Sequence, residues 1–371
     1  MPSQISFARY FAELPDPRVN RTKKHALSDI LGVTLCAVIC GADSFEEIER
    51  FGESRLDWLK KFFPLANGVP SHDTFNRVLA ALDPKAFAAC FGRWMAELNT
   101  ATGLKVIAVD GKACRSAPGA TFSGCLHLVS AWATENGLAL GQEAVADGSH
   151  EIAAVPELLK VLDLKGALVT LDAAGCQKQT LSQIREQGGD YLVAVKGNQP
   201  ALQRAVHAAF EGACGAEFAG CDASASTEDG HGRHEERYAT VIADPEGLPA
   251  EWKDVAAVVV VGREREVKGK NTSTHHFFIT SLRAGAEKLA GYVRGHWGVE
   301  NGLHWCLDVS FAEDANRTRD RNAGANLGMV RRVAASLLKQ DTGKGSIKAK
   351  RLNAAWDLNY LEQVLQGFKA N

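Results

Sequence analysis

The spacing of hydrophobic positions divides the chain near residue 104. Before that point, the stretch SFEEIERFGESRLDWLKKFF places apolar residues at helical spacing with charged residues between them. The stretch PSHDTFNRVLAALDPKAFAACFGRWM predicts two more helices, and Pro84 lies in the first turn of the second. We therefore predict a helical N-terminal domain over residues 1–98. Its helix pair fits either a helix-turn-helix or an ordinary helical bundle.

Strand-like segments begin after residue 104. Three consecutive runs, LKVIAVDG, GCLHLVSAWAT and LALGQEAVA, are largely apolar and are separated by glycine-containing breaks. Helix and strand patterns then alternate through EIAAVPELLKVLDL, GALVTLDAAG, KQTLSQIREQG, DYLVAVKGNQ and PALQRAVHAAFEG. Three strands followed by alternating helices and strands predict an α/β domain with a mixed sheet over residues 99–371.

Residues 213–283 show a different pattern, which predicts a β-rich insertion. The segment GACGAEFAGCDASAS is small and polar and is predicted to be a loop, whereas ERYATVIA, DVAAVVVVGREREV and THHFFITSL are predicted strands. From Glu287 the pattern returns to helix, and residues 317–371 are predicted to form basic C-terminal helices. Residues 317–351 contain ten Lys or Arg and two Asp, which fits either a surface for a polyanion or a solvated helical face.

The composition argues against a disulfide-rich protein and against a membrane-spanning protein. The 371 residues are 46% hydrophobic and 23% charged with a formal net charge of -2, as in an ordinary globular protein. The nine cysteines include no C-x-x-C pair, which argues against a disulfide framework or structural zinc site and favours a reducing compartment. No signal-peptide pattern is visible, and the longest apolar run, residues 30–42, is too short to span a bilayer. We therefore expect a cytoplasmic protein with no membrane partner.

Two predicted strands lead into an aspartate. VIAVDG places Asp110 after an apolar run, and LVTLDAAG does the same for Asp172. The carboxyl ends of strands are where α/β sheets place their functional sites. A single aspartate there is more often a turn residue or a helix cap. Two carboxylates at one sheet edge repel each other unless a cation lies between them, and oxygen ligands favour Mg²⁺ or Mn²⁺.

The segment HWGVENGLHWCLDVSFAEDANR, residues 296–317, concentrates polar and aromatic side chains. Residues four apart share one helical face, drifting by about 40° per step; that face holds His296, Glu300, His304 and Asp308. The neighbouring face holds Trp297, Asn301 and Trp305. Three interpretations stay open. In the first, the helix directs an acid toward the metal; in the second, it is a partly buried structural helix. In the third, His296, Glu300 and His304 form a zinc site, although these three residues lack the H-E-x-x-H arrangement.

Glycines interrupt this predicted helix at three positions, Gly295, Gly298 and Gly302. Each costs roughly 1 kcal/mol of helix stability at an interior position. One hypothesis is that a second backbone, from protein or nucleic acid, passes close to the helix there.

Several short motifs follow one another in a fixed order along the chain. They read DGKACR after Asp110, TLDAAGCQ around Asp172, and KGNQ at residues 196–199. Residues 294–317 fit R-x-HW-x-EN-x-LHW-x-LDV-x-F-x-ED-x-x-R, and the earlier stretches DPR, CGAD and PSHDTF also match. Over nearly its whole length the chain resembles the DDE transposases of bacterial insertion sequences, and among them the H-repeat-associated transposases.

The resemblance implies an RNase H-like catalytic domain with two divalent metal ions, Mg²⁺ or Mn²⁺. Its catalytic residues and metal ligands would be Asp110, Asp172 and Glu300. The implied function is that of an insertion-sequence transposase, which binds the terminal inverted repeats of its element, cleaves double-stranded DNA there and joins the 3′ ends to target DNA. The implied assembly is a homodimer or larger synaptic complex on DNA.

Other motif positions carry groups suited to DNA. Positions after the strands are predicted to contact phosphates, backbone or bases; they are Lys112, Arg115, Lys196, Asn198 and Gln199. Further predicted DNA contacts around the third acid are Arg294, His296, Trp297, Asn301, His304, Arg317 and Arg319. Trp297 and Trp305 fit either stacking on an unpaired base or packing in the core.

One departure from the family's pattern lies at residues 148–152. Relatives usually carry K-S-N-E-I there, and this chain has GSHEI, with Gly148 in place of the lysine and His150 in place of the asparagine. DNA binding or cleavage would differ if that lysine contacts DNA in relatives. The three acids are intact. Two alternatives stay open: a metal-dependent nuclease that no longer transposes, and a non-catalytic DNA-binding protein.

Overall fold

The computed structural model describes residues 10–98, 105–114, 125–230, 233–252, 254–267 and 270–366. The chain clusters into two compact units. The first unit comprises residues 1–101, 111–162 and 299–371, and the second comprises residues 102–110 and 163–298. The predicted division of the chain near residue 98 stays a prediction.

The N-terminal region is helical where it is described. Its helices are α1 (Leu27–Ile39), α2 (Phe45–Ser54), α3 (Leu56–Leu59), α4 (His72–Ala81) and α5 (Pro84–Leu98). Every residue of α1 from Asp29 to Ile39 is buried, as its apolar run predicts. A capping box starts α2, in which the Ser44 side chain accepts from the N–H of Glu47 and the Glu47 carboxylate accepts from the N–H of Ser44. Across the described residues, no helix is both long and apolar enough to cross a membrane.

The described strands form one mixed sheet in the order β3-β2-β1-β4-β5-β9-β8-β7-β6. The strands are β1 (Lys105–Cys114), β2 (Leu126–Ala133), β3 (Leu138–Ala144), β4 (Ala167–Leu171), β5 (Asp190–Val195), β6 (Asp222–Gly230), β7 (Arg233–Ala243), β8 (Ala257–Val267) and β9 (Lys270–Thr280). β4 runs parallel to β1 and β5, whereas β9 pairs antiparallel with β5. The predicted mixed α/β fold with a β-rich insertion is confirmed.

The remaining helices flank and follow the sheet. They are α6 (Glu151–Lys160), α7 (Lys178–Glu186), α8 (Pro200–Gly215), α9 (Ala286–Val299), α10 (Trp305–Phe311), α11 (Arg321–Lys339), α12 (Ile347–Trp356) and α13 (Leu358–Leu365). In the second unit, α9 packs through Leu289 and Val293 into a core that includes Val106 of β1 and Leu168 of β4. α9 therefore covers the face of the sheet to which the side chains of Val106 and Leu168 point, and every second residue along β1 and β4 points to that same face.

The insertion contains one more strand than predicted. β6 begins at Asp222, within the segment that was predicted to be a loop, and pairs antiparallel with β7 from Asp222↔Val241 to Gly230↔Arg233. The loop prediction is therefore wrong from Asp222 onward. Pairing with a neighbouring strand overrides the low intrinsic strand preference of small polar residues.

The C-terminal basic residues do not form one exposed face. Arg331 and Arg332 of α11 are 1% and 0% exposed, and Lys350 and Arg351 of α12 are 6% and 5% exposed. Because α11 is buried from Ala323 to Leu338, its arginines make interior contacts. Four of the ten basic residues counted between 317 and 351 are therefore unavailable to a polyanion, and the solvated-face interpretation is wrong for them as well.

Candidate active site

Two aspartates occupy equivalent positions on neighbouring parallel strands. The pairing of β1 with β4 ends at Val109↔Leu171, and Asp110 and Asp172 are the next residues along the two chains. Adjacent strands lie about 4.8 Å apart, so the two carboxylates leave the backbone close to each other. Both side chains are half-buried. The structure thus brings together two of the three predicted acids, although β1 itself continues beyond Asp110.

The turn after β4 fixes one oxygen of Asp172. Its Oδ1 accepts hydrogen bonds from the N–H groups of Ala174 at 2.9 Å and Gly175 at 3.2 Å. A turn of this kind holds an aspartate side chain against its own backbone. Both of these hydrogen bonds go to the same oxygen of the carboxylate.

Two side chains of the KGNQ turn form hydrogen bonds to the loop that follows Asp172. Nδ2 of Asn198 donates to the carbonyl oxygen of Ala173 at 2.7 Å, and Nε2 of Gln199 donates to the carbonyl oxygen of Cys176 at 2.8 Å. Both residues were predicted to contact DNA. One N–H of each amide is bound to the protein backbone beside Asp172, and contact of these residues with DNA stays a prediction.

His296 lies against the strand that leads into Asp172. Its Nδ1 is 3.0 Å from Oγ1 of Thr170, which points to the same face of β4 as Asp172 because the two are two residues apart. Burial lowers the pKa of His296, and the charge of Asp172 opposes this change. The Nδ1 atom of His296 is thus used within the protein, and contact of His296 with DNA stays a prediction.

Glu300 begins a π-helix, Glu300–His304, that joins α9 to α10. The flanking residues Val299 (φ -62°, ψ -43°) and Trp305 (φ -59°, ψ -40°) are helical, so the helix continues through it. The Glu300 side chain is exposed. A π-helical turn is wider than an α-helical turn. Residues four apart therefore no longer share one face of the helix after Glu300, although the sequence had predicted that they would. Such turns are frequent at functional sites.

The aspartate pair provides ligands of the type that Mg²⁺ and Mn²⁺ prefer, because carboxylate oxygens are hard donors. Across the described ranges, no three His, Cys, Asp or Glu side chains are grouped closely enough to hold a metal ion. Within the described residues, such a group is formed neither by the zinc candidates His296, Glu300 and His304 nor by the three predicted acids Asp110, Asp172 and Glu300. His296 also bonds to Thr170.

Comparisons with known proteins identify the family. The family described as "Transposase DDE domain" matches residues 82–337, and the one described as "DDE_Tnp_1-associated" matches residues 8–95. This chain belongs to the DDE transposase family. Putative transposase YncI of Escherichia coli O157:H7 is 40% identical, over 97% of this chain and 94% of its own length. The H repeat-associated putative transposase YhhI of Escherichia coli K12 is 40% identical, over 95% of this chain and 96% of its own length.

Family membership confirms the resemblance found in the motifs and implies an RNase H-like fold for the mixed sheet. A solved structure, a piggyBac transposase synaptic complex with hairpin DNA, matches 99% of this chain and 79% of that chain. Its TM-score is 0.43 at 9% sequence identity, which is too weak to support an argument about the site.

In this DDE transposase family member, Lys112 is buried among acids. Its Nζ lies 2.7 Å from Asp308, 3.1 Å from Asp314 and 3.4 Å from Glu313, and its side chain is 6% exposed. Burial lowers the pKa of Lys112, but Glu313 and the other acids raise it by more, so the net direction is upward. These ion pairs correct the prediction that Lys112 contacts a phosphate.

Most of the other predicted DNA contacts face solvent. Exposed side chains are those of Lys196, Arg294, Trp297, Asn301, Arg317 and Arg319, while His304 is half-buried. Trp297 is 50% exposed and Trp305 is 58% exposed, so packing in the core is wrong for both. Arg115 lies outside the described residues. Contact of these residues with DNA stays a prediction.

A groove in the second unit adds basic residues that the sequence did not single out. Its volume is ≈ 810 Å³, and its lining includes Arg237, Arg263, Arg294 and Trp297. Arg237 and Arg263 are direct neighbours across β7 and β8, and like charges at such positions repel each other. Glu235 pairs with Arg237 and offsets part of this repulsion. In the sequence, the pair Arg237 and Arg263 could have been found from the alternating charged residues of the segments RHEER and GRERE.

The GSHEI departure has a local conformational basis. Gly148 has a φ of +70°, in the left-handed region that favours glycine over lysine. His150 is the extended N-cap residue of α6, with φ -117° and ψ 158°. The backbone at Gly148 therefore suits the residue found here.

Gly298 offers a test of the close-approach hypothesis. A Cβ added to Gly298 would meet no atom within 4 Å, so no second protein backbone requires this glycine. Gly298→Ala should raise the free energy of unfolding by up to about 1 kcal/mol, because alanine favours helix, and should weaken DNA binding if DNA passes there. Denaturant unfolding and DNA-binding titrations measure the two effects.

Gly212→Ala is the matched control, since Gly212 of α8 also faces open space. It should stabilise the protein without changing DNA affinity. Higher stability with unchanged DNA affinity for Gly298→Ala would contradict the hypothesis.

Proposed function

We propose that this protein is an insertion-sequence transposase. It binds the terminal inverted repeats of its element, cleaves DNA at the repeat boundary and joins the 3′ ends to target DNA. Family membership supports the general activity. The observation that carries the catalytic assignment is the pair of carboxylates, Asp110 and Asp172, directly after the last paired residues of two parallel strands.

We propose Glu300 as the third acid because it occupies the corresponding position of the family motif. Leu289 and Val293 pack on the face that includes Leu168, and His296 then binds Thr170 farther along the same strand. The helix therefore advances toward the end of β4 that leads into Asp172. Glu300 comes four residues after His296 in the chain.

We assign two Mg²⁺ or Mn²⁺ ions to Asp110, Asp172 and Glu300. When bound, such ions activate the attacking oxygen and stabilise the leaving oxygen of the phosphodiester. The protein holds Asp172 by its Oδ1, which leaves Oδ2 for a metal ion. A neutral His296 places no competing positive charge beside these acids.

The basic groove supports a path for DNA. Arg237, Arg263 and Arg294 supply positive charge for phosphates, and the exposed ring of Trp297 supplies a stacking surface. We expect double-stranded DNA of the inverted repeat and of the target as the partners, with a homodimer or larger synaptic complex assembled on them. Arg317 and Arg319 are assigned to the DNA backbone for the same electrostatic reason.

Loss of the Trp297 ring should weaken binding to DNA with unpaired nucleotides. Because stacking of a base on an aromatic side chain contributes about 1–3 kcal/mol, Trp297→Ala should reduce affinity by roughly 5- to 160-fold. Trp356, at 73% exposure, lies outside the 294–317 segment, so Trp356→Ala serves as the control. Fluorescence anisotropy with DNA carrying an unpaired end measures both affinities. Equal affinities of the two variants would overturn the stacking role.

Cleavage and joining of labelled inverted-repeat DNA test the proposed function. With Mg²⁺, the wild-type protein should nick the DNA at the repeat boundary and join the new 3′ end to a target, and Glu300→Gln should do neither. Cleavage without joining would favour the nuclease alternative. Tight binding without cleavage in either Mg²⁺ or Mn²⁺ would favour the non-catalytic alternative.

A further inference from the structure

We propose that Asn198 and Gln199 are positioning residues, which hold the loop of Asp172 so that its free carboxylate oxygen is set for metal binding. This inference rests on the proposed function, because it assumes that Asp172 is a metal ligand. It is an alternative to the predicted role of both residues in contacting DNA.

The two loops involved leave the same edge of the sheet. β4 and β5 are parallel and paired to Leu171↔Val193, so the segment after Asp172 and the turn that contains Asn198 start side by side. Beyond the paired strands, the backbone carbonyls of the first loop have lost their partners in the sheet. The side-chain amides of Asn198 and Gln199 donate to two of those carbonyls, at 2.7 Å and 2.8 Å.

These two hydrogen bonds lie on either side, along the chain, of the N–H groups that bind Asp172. The bonded carbonyls belong to Ala173 and Cys176, and the N–H groups that bind Oδ1 of Asp172 belong to the intervening residues Ala174 and Gly175. Both ends of the turn are therefore fixed from the neighbouring loop. Within the loop, the N–H of Cys176 also donates to the carbonyl oxygen of Ala173 at 3.2 Å, so we expect that losing either amide loosens the turn rather than opens it.

The turn that carries the amides has backbone hydrogen bonds of its own. The N–H of Gln199 donates to the carbonyl oxygen of Lys196 at 3.1 Å, and the carbonyl oxygen of Gln199 accepts from the N–H of Gln203 at 2.8 Å. Pro200 follows at the start of α8, where its fixed φ suits a first helical turn. The side-chain amide provides the N–H donor that each carbonyl needs, whereas the carboxylate of Asp or Glu would present oxygen to oxygen.

The same loop is tightly packed on its other side. A Cβ at Gly175 would lie 2.8 Å from the side chain of Leu171, so the turn closes directly over the end of β4. Cys176 is buried, and burial raises the pKa of its thiol to about 12, which keeps it neutral. The loop is thus packed against the end of β4 and is hydrogen-bonded to the neighbouring loop through the two amides.

Full-length Asn198→Ala and Gln199→Ala variants test the inference, with Gln203→Ala as the control. Within the described residues, the Gln203 side chain makes no hydrogen bond to the Asp172 loop. Mn²⁺ affinity is measured without DNA by electron paramagnetic resonance, DNA affinity without metal by anisotropy, and the order of residues 172–177 by hydrogen exchange. Thermal unfolding measures stability.

Both variants should bind Mn²⁺ about 10- to 100-fold more weakly, as is typical when a group that orients a metal ligand is lost. Hydrogen exchange of the loop should accelerate, while DNA affinity and thermal stability stay at wild-type values. The control should match wild type in every measurement.

Lower DNA affinity with unchanged Mn²⁺ affinity would overturn the proposal in favour of DNA contacts. Lower thermal stability with unchanged Mn²⁺ affinity would show a structural role alone. A wild-type protein that binds Mn²⁺ but neither cleaves nor joins DNA would refute the proposed function, whereas the comparison of variants would still decide the positioning role. Absence of Mn²⁺ binding by wild type would overturn both.

Discussion

Asp172→Asn should reduce metal-dependent DNA cleavage by at least about 10³-fold and leave DNA binding intact. Asparagine keeps the size of the side chain, and its oxygen still accepts from the N–H groups of Ala174 and Gly175, so the loop is retained. What is lost is the negative charge that we propose as a ligand of the divalent ions. Asp110→Asn should have the same effect, because Asp110 leaves the adjacent strand at the equivalent position. Single-turnover cleavage of labelled inverted-repeat DNA in Mg²⁺ measures the rates.

Asp163→Asn provides a matched control for this loss of charge. Asp163 precedes β4 at the opposite end from Asp172, and its side chain is exposed. Its Oδ1 accepts from the N–H of Lys165 at 3.3 Å, a bond that asparagine preserves. This variant should cleave at the wild-type rate. Wild-type cleavage by Asp172→Asn would show that the aspartate pair is not the catalytic centre.

Glu313→Gln should destabilise the protein by about 3–5 kcal/mol at neutral pH, because it removes one partner of a buried ion pair. The Glu313 side chain is 2% exposed and lies 2.7 Å from Arg332 and 3.4 Å from Lys112. Glutamine leaves the charge of Arg332, whose side chain is 0% exposed, without its acid. Denaturant unfolding measures the difference, and the exposed Glu53 of the first unit supplies the control substitution Glu53→Gln.

The same pair predicts how stability depends on pH. Burial raises the pKa of Glu313, but Arg332, Lys112 and Arg331 lower it by more, and the net direction is downward. A carboxyl group whose pKa falls on folding stabilises the folded protein above its unfolded value of about 4.3 and loses that contribution as pH falls through the folded pKa. The difference between wild type and Glu313→Gln should therefore be full at pH 7 and should shrink in acid. A difference at pH 7 within about 0.5 kcal/mol, the range of ordinary surface substitutions, would contradict this role.

For the aspartate pair, the sequence predicted the position of each residue at the end of a strand but not the register of the two strands. Apolar runs marked β1 and β4 as buried strands, so the emergence of Asp110 and Asp172 at their ends followed from local pattern. The register of the two strands is set by hydrogen bonds between segments far apart in the chain, which no local pattern fixes. The pairing Val109↔Leu171 therefore had to come from the structure.

Charged and amide residues were the least predictable, because their roles depend on distant partners. Lys112 binds Asp314, which is 202 residues away, and Arg332 binds Glu313 inside the first unit. In the sequence, such cations look the same as cations available to DNA. Asn198 likewise gave no sign that its amide would bind the loop of Asp172 rather than a nucleic acid.

The helix of Glu300 was predicted correctly as a helix but not in its geometry. Spacing by four residues assumed an α-helix, whereas residues 300–304 form a π-helix. Beyond it, Asp308 binds Lys112 and Trp305 is exposed. The wider turn is not encoded by a periodic pattern of apolar residues, because that pattern describes a helix of constant pitch.

Iron-directed cleavage of the polypeptide tests the central claim, a metal site made by three acids, most directly. Fe²⁺ bound in place of Mg²⁺ generates radicals with ascorbate and peroxide, and these cut the backbone beside the bound ion. Mass spectrometry should find fragments that end close to Asp110, Asp172 and Glu300, and excess Mg²⁺ should suppress all three cuts. Cuts elsewhere in the chain, or cuts that Mg²⁺ does not suppress, would contradict the proposed site.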